Sequence, residues 1–101
     1  MNLHLMHLIK IVGEEEIADK IENFLVNLGI KGYTIFNDKS KSGNSLHLGL
    51  SKKDRNVQIE IITSAHNAEK ILQEIRNSFF QKHSVLVYMM DVRIIRNDLF
   101  I

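Results

Sequence analysis

The apolar residues of this chain change their spacing in a fixed order, and that order limits the folds open to it. In LHLMHLIKIV, Leu3, Leu5, Ile9 and Ile11 recur at a period of two on one face, with Met6, Leu8 and Val12 on the other. A run that is apolar on both faces reads as an inner strand. Gly13 is expected to break it, and Glu14, Glu15 and Glu16 to form a solvated first helical turn, where negative charge is favoured. Ile17, Ile21, Phe24, Leu25 and Leu28 follow at helical spacing, and Gly29 is placed to end that helix in the left-handed conformation. Residues 31–36 read as a second strand. NVQIEIIT then alternates Val57, Ile59, Ile61 and Thr63 against Gln58 and Glu60. Ala68, Ile71, Leu72, Ile75 and Phe79 mark a second amphipathic helix, and VLVYMMDVRII a final strand.

Two strand–helix–strand halves in sequence predict an α+β fold, the ferredoxin-like βαββαβ sandwich. It has a four-stranded antiparallel sheet with two helices on one face. Both faces of the outer elements carry apolar residues, so one apolar set has no helix to cover it. A symmetric oligomer that buries it is the expectation. At 101 residues the chain fits a single domain, 1–101.

Composition removes several function classes. With no cysteine there is no disulfide framework, thiolate metal site or thiol nucleophile. No apolar run nears the roughly 20 residues of a membrane helix, and MNLHLMHLIK lacks a signal-peptide cleavage pattern. The cytoplasm is the expected address. The histidines at 4, 7, 47, 66 and 83 show no zinc-helix spacing, and they read as ordinary surface or edge residues. No metal ligands and no catalytic residues are expected, since phosphate-loop, dinucleotide and nucleophile-elbow motifs are all absent. Asp91, which interrupts an apolar run and precedes Arg93, reads most simply as the point where the last strand enters solvent.

The segment from Asp38 to Arg55 is the exception. It spans eighteen residues without a period, a length that is usually functional or disordered. Its five basic and two acidic side chains give it +3 in a chain whose total is +1. Within KSKSGNS, lysines supply charge and serine hydroxyls and backbone N–H groups supply hydrogen bonds, the combination a phosphate needs. Nucleic acid is not the expected partner, because the basic patch is small and only Phe36 offers a ring beside it.

Together these pieces resemble the PII and PII-like signalling proteins. LIKIV resembles their first strand, and GIKGYTIF resembles the glycine-x-x-glycine-x-threonine that opens their second. The segment 38–55 stands where their T-loop stands. KGYTIFN and FFQKHSVLVYMMDV are closer in character to the PII-like group linked to bicarbonate transporters than to nitrogen-regulatory PII. The resemblance implies a homotrimer that binds an adenine nucleotide (ATP, ADP or AMP, with a cyclic nucleotide or dinucleotide as a subordinate choice) in clefts between subunits. It also implies a transporter or enzyme target engaged through the loop. Carried over by position, Gly32 and Thr34 would meet the adenine, and Lys39, Lys41, Ser42 and Lys82 the phosphates. Arg93 and Arg96 would reach them from the neighbouring subunit.

The departures are specific. QKHS replaces a glycine-rich loop before the last strand, and the long loop has no tyrosine to accept a uridylyl group. KSKSGNS holds no glutamine for 2-oxoglutarate. Two alternatives share the fold: a CutA-like metal-binding trimer, which would need histidines or carboxylates converging at a cleft, and a small ferredoxin-like enzyme, for which no activated nucleophile or general base is evident.

Overall fold

The computed structural model describes residues 1–37 and 56–96. Strand β1 (His4–Glu14) runs into one 3-10 turn (Glu15–Ile17) and helix α1 (Ala18–Leu28). Strands β2 (Tyr33–Asn37) and β3 (Asn56–Thr63), helix α2 (Ala65–Ser78) and strand β4 (Val85–Ile94) follow. The four strands form one antiparallel sheet in the order β2-β3-β1-β4. This is the ferredoxin-like arrangement that the element order requires.

Residues of odd number on the central strands face the helices. Ile9 and Ile11 of β1, Ile59 and Ile61 of β3, Ile21 and Leu25 of α1, and Ile71 of α2 are each 0% exposed and form one cluster. Burying a side chain of this size is worth about 1.5–3 kcal/mol, so this layer supplies much of the fold's driving force. Six of these seven are isoleucine, whose stiff branched side chains suit the pleated surface between sheet and helix.

The local rules place the ends of the elements. Gly29 caps α1 with φ 84° and ψ 18°, and the Ile30 N–H reaches back to the Leu25 carbonyl at 2.9 Å. That is the closure a left-handed glycine permits. Ser64 caps α2, its Oγ accepting from the Asn67 N–H at 3.3 Å.

Three boundaries differ from the expectation. Gly13 does not break β1 but pairs within it, against Val57 and Val85. A Cβ there would lie 2.6 Å from Ile17 Cδ1, so the glycine makes room for the turn that brings Ile17 onto the core. Glu14 closes the strand, and α1 starts only at Ala18. Strand β2 begins at Tyr33, because the preceding residues complete the helix cap and the crossing to the sheet.

Among the described residues, the other sheet face has no helix. Met6 and Val12 are buried on it, whereas Phe36, Tyr88 and Met90 are 48%, 38% and 48% exposed. Lys10 Nζ lies 3.7 Å from Glu60 Oε1 in the midst of these apolar side chains.

Candidate functional site

The glycine-x-x-glycine-x-threonine segment is built by the end of α1 and the start of β2. Gly32 is buried, and its carbonyl accepts from the Ile62 N–H at 2.9 Å, which extends the β2–β3 pairing by one step. Tyr33 turns towards the helices, where its Oη donates to Glu22 Oε2 at 3.0 Å. The Glu22 bond, then partial burial and the Glu22 charge hold the Tyr33 phenol above its ordinary value of 10.0. Thr34 therefore points to the open face and is exposed. In register, Thr34 stands opposite Glu60, Glu60 opposite Lys10, and Lys10 opposite Tyr88. A hydroxyl, a carboxylate and an ammonium thus lie in one row across the sheet. Glu60 and Lys10 are the members that the sequence did not single out, because their alternation with Ile59 and Ile61 and with Ile9 and Ile11 reads only as outward strand residues.

Lys82 is exposed on the turn between α2 and β4. Its N–H and that of His83 both donate to the Phe79 carbonyl, at 3.2 and 2.9 Å, which fixes the turn. Val85, just beyond it, pairs with Gly13; Gly13 pairs with Val57, and Val57 with Asn37. Lys82 therefore sits at the end of the sheet from which residues 38–55 depart. Lys39, Lys41 and Ser42 lie outside the described residues.

Arg93 pairs with Leu5 on β4, and Arg96 follows the end of that strand; both are exposed. They belong to the opposite edge of the sheet from Thr34, with β3 and β1 between. Three steps of about 4.8 Å lie between the two edges, and the row of Thr34 meets β4 at Tyr88, five residues along the strand from Arg93, so one chain does not bring Thr34 and Arg93 onto one small ligand by itself.

Two histidines are not the surface residues expected. His7, with its side chain 17% exposed, places Nδ1 2.9 Å from Asp91 Oδ1, near enough for an ion pair but without the alignment of a hydrogen bond. Asp91 thus enters solvent with a partner. The His83 side chain is 11% exposed, and its Nδ1 lies 3.0 Å from Glu16 Oε1 and 3.7 Å from Glu14 Oε2. The expected solvated glutamate turn is therefore engaged across the fold. A separate cavity of about 360 Å³ opens between α2 and the β1–β4 pair, floored by Ala68, Leu72 and Met89 and rimmed by His7, Glu69 and Arg76.

The family described as nitrogen regulatory protein P-II matches residues 6–99. The chain belongs to the PII family. The structure of a PII-like signalling protein from Thermus thermophilus, TTHA0516, matches at a TM-score of 0.79 and 25% identity over 100% of both chains. CPII of Thiomonas intermedia, bound to ADP, AMP and acetate, matches at a TM-score of 0.82 and 24% identity over 99% of this chain and 98% of that one. The same protein bound to ADP and bicarbonate matches at 0.79 and 23%, again over 99% and 98%. No curated protein matches the chain. Among the described residues, no helix is long and apolar enough to cross a membrane.

Proposed function

We propose that this PII-like protein is a non-catalytic signalling trimer, acting in the cytoplasm, that binds an adenine nucleotide between subunits and regulates a target through residues 38–55. The observation that carries the reading is the split of the recognition residues between the two sheet edges, Thr34 on β2 and Arg93 on β4. A ligand that needs both must bridge two chains. CPII, which has the same fold, holds ADP and AMP, and the apolar open face with Phe36, Tyr88 and Met90 exposed is a surface suited to burial between copies.

In this reading Gly32 lets the flat base approach the backbone, and the Thr34 hydroxyl bonds its edge beside the Glu60 carboxylate. Lys82, with Lys39, Lys41 and Ser42 of the T-loop-like segment, neutralises the phosphates. Arg93 and Arg96 reach them from the next subunit. Phosphate contacts select one loop arrangement, and the difference in affinity between arrangements carries the signal to a transporter or enzyme target. The whole chain, 1–101, acts as one domain around that switch. The resemblance of KGYTIFN to the bicarbonate-transporter-linked group favours a transporter.

Calorimetric titration of nucleotide-stripped protein with ATP, ADP, AMP, cyclic AMP and cyclic di-AMP tests this, together with the mass of the particle by light scattering. One nucleotide per chain on a trimer, weakened about tenfold in Thr34→Ala by the loss of one hydrogen bond, is expected. A monomer, or no heat with any of the five, overturns it.

A further inference from the structure

We propose that Glu14, Glu16 and His83 form a binding site for a divalent transition-metal cation of the zinc class. Each offers one ligand atom, and these atoms all lie within 4.8 Å of one another. The proposal is independent of the nucleotide reading, since none of the three is assigned to the nucleotide.

Three features separate this group from a chance cluster of acids. The first is the imidazole. Among the described residues, His83 Nδ1 is closed off from solvent and finds no aligned hydrogen-bond partner, although two carboxylates stand at ion-pair distances of 3.0 and 3.7 Å. A buried polar atom without a bond is costly, and a metal ion between these groups satisfies all three at once. The second is the spacing. Ligand atoms around a tetrahedral zinc ion, at bonds of about 2.0–2.2 Å, lie about 3.4 Å apart, and the two observed separations bracket that value. The third is rigidity. The Ser84 N–H donates to Glu14 Oε1 at 3.3 Å, leaving Oε2 turned to the imidazole. The His83 backbone is tied to the Phe79 carbonyl at 2.9 Å, and the two rings lie 6.0 Å apart. The ligands therefore come from a strand end, a 3-10 turn and a fixed turn, each held by its own backbone bonds.

The donor set chooses the metal class. One imidazole nitrogen with two carboxylates suits zinc, cobalt or nickel better than calcium or magnesium, which take oxygen donors. Two carboxylate charges balance the dication. Glu16, with its side chain 66% exposed, opens the site to solvent, so water completes the coordination.

The test uses the full chain, stripped with a chelator. Zinc is titrated by calorimetry, and cobalt by its visible absorption, whose intensity and position report the coordination number. One metal per chain is expected, with weakening of at least about tenfold in Glu16→Gln and in His83→Gln, the loss seen even for outer-sphere partners. Glu15→Gln, an exposed neighbour, leaves affinity unchanged. Circular dichroism checks folding, and the exposure of Glu16 makes its variant the safer of the two. Absence of binding in the unaltered chain, or affinity that survives Glu16→Gln in a folded protein, overturns the proposal. Because nucleotide is absent throughout, the result stands apart from the test of the nucleotide cleft.

Discussion

Tyr33 Oη donates a 3.0 Å hydrogen bond to Glu22 Oε2, joining the first residue of β2 to the middle of α1. The bond closes over the Gly29–Gly32 connection and so fixes the direction in which Thr34 leaves it. The phenol is the donor, so ionisation destroys the bond. With the folded value raised above 10.0, the contribution is complete below the ordinary phenol value and is lost as pH rises through the folded one. The difference in phenolate absorbance between the unaltered chain and Tyr33→Phe should show a single step above 10.0. A difference step at or below 10.0 would assign the shift elsewhere.

Gly29 sits at φ 84°, and among the described residues nothing lies within 4 Å of an added Cβ. The cost of Gly29→Ala is then purely conformational, about 1 kcal/mol for a left-handed alanine. Gly29→Asn should cost less, since asparagine tolerates that region. Urea unfolding of the three proteins checks the order, and equal midpoints would refute the capping role.

Gly13 is constrained by space instead. An added Cβ meets Ile17 Cδ1 at 2.6 Å and the Ser84 carbonyl at 3.5 Å. Ile17 is 0% exposed and has little room to withdraw. Gly13→Ala should lower stability by about 1 kcal/mol, overpacking being offset in part by the stiffer unfolded chain. Restoration by the second change Ile17→Val, which shortens the clashing arm, distinguishes this from a backbone effect.

The proposed sharing of one cleft by two chains has its own test. In the proposed trimer, Thr34→Ala and Arg93→Ala would each damage every site when the variant chains are uniform. Mixed and allowed to exchange subunits, the two variants should recover about a quarter of the full-affinity sites, the share in which an intact Thr34 meets an intact Arg93 in a closed ring. Titration stoichiometry reads this directly, and no recovery after exchange would place both residues in one chain's site.

The parts of this architecture legible in the sequence are those fixed by local rules. NVQIEIIT coincides with β3, because Val57, Ile59, Ile61 and Thr63 alternate inward with no competing period. Gly29 is legible because few residues other than glycine end a helix that way. Gly13 misleads for the opposite reason: its role comes from Ile17 and Ser84 packing against it, and a glycine within a strand looks the same as a break. His83 and its two glutamates lie at the far ends of the chain, and only the β1–β4 pairing brings them together. No periodicity encodes such a meeting. The exposed row beginning at Thr34 is half visible, since the threonine stands in a recognisable motif while Glu60 and Lys10 look like ordinary outward residues.

The strand order has one last consequence. In the proposed assembly, a ligand that grips Thr34 of one chain and Arg93 of the next is also a glue. It stabilises the assembly by mass action, the more so the further its concentration exceeds its dissociation constant. Occupancy then depends on how much protein the cell makes as well as on how much ligand it contains. Scarce chains would fall apart before the ligand could find a complete site. Abundant chains would respond at lower ligand levels, so the dose of the protein becomes part of the signal it reports.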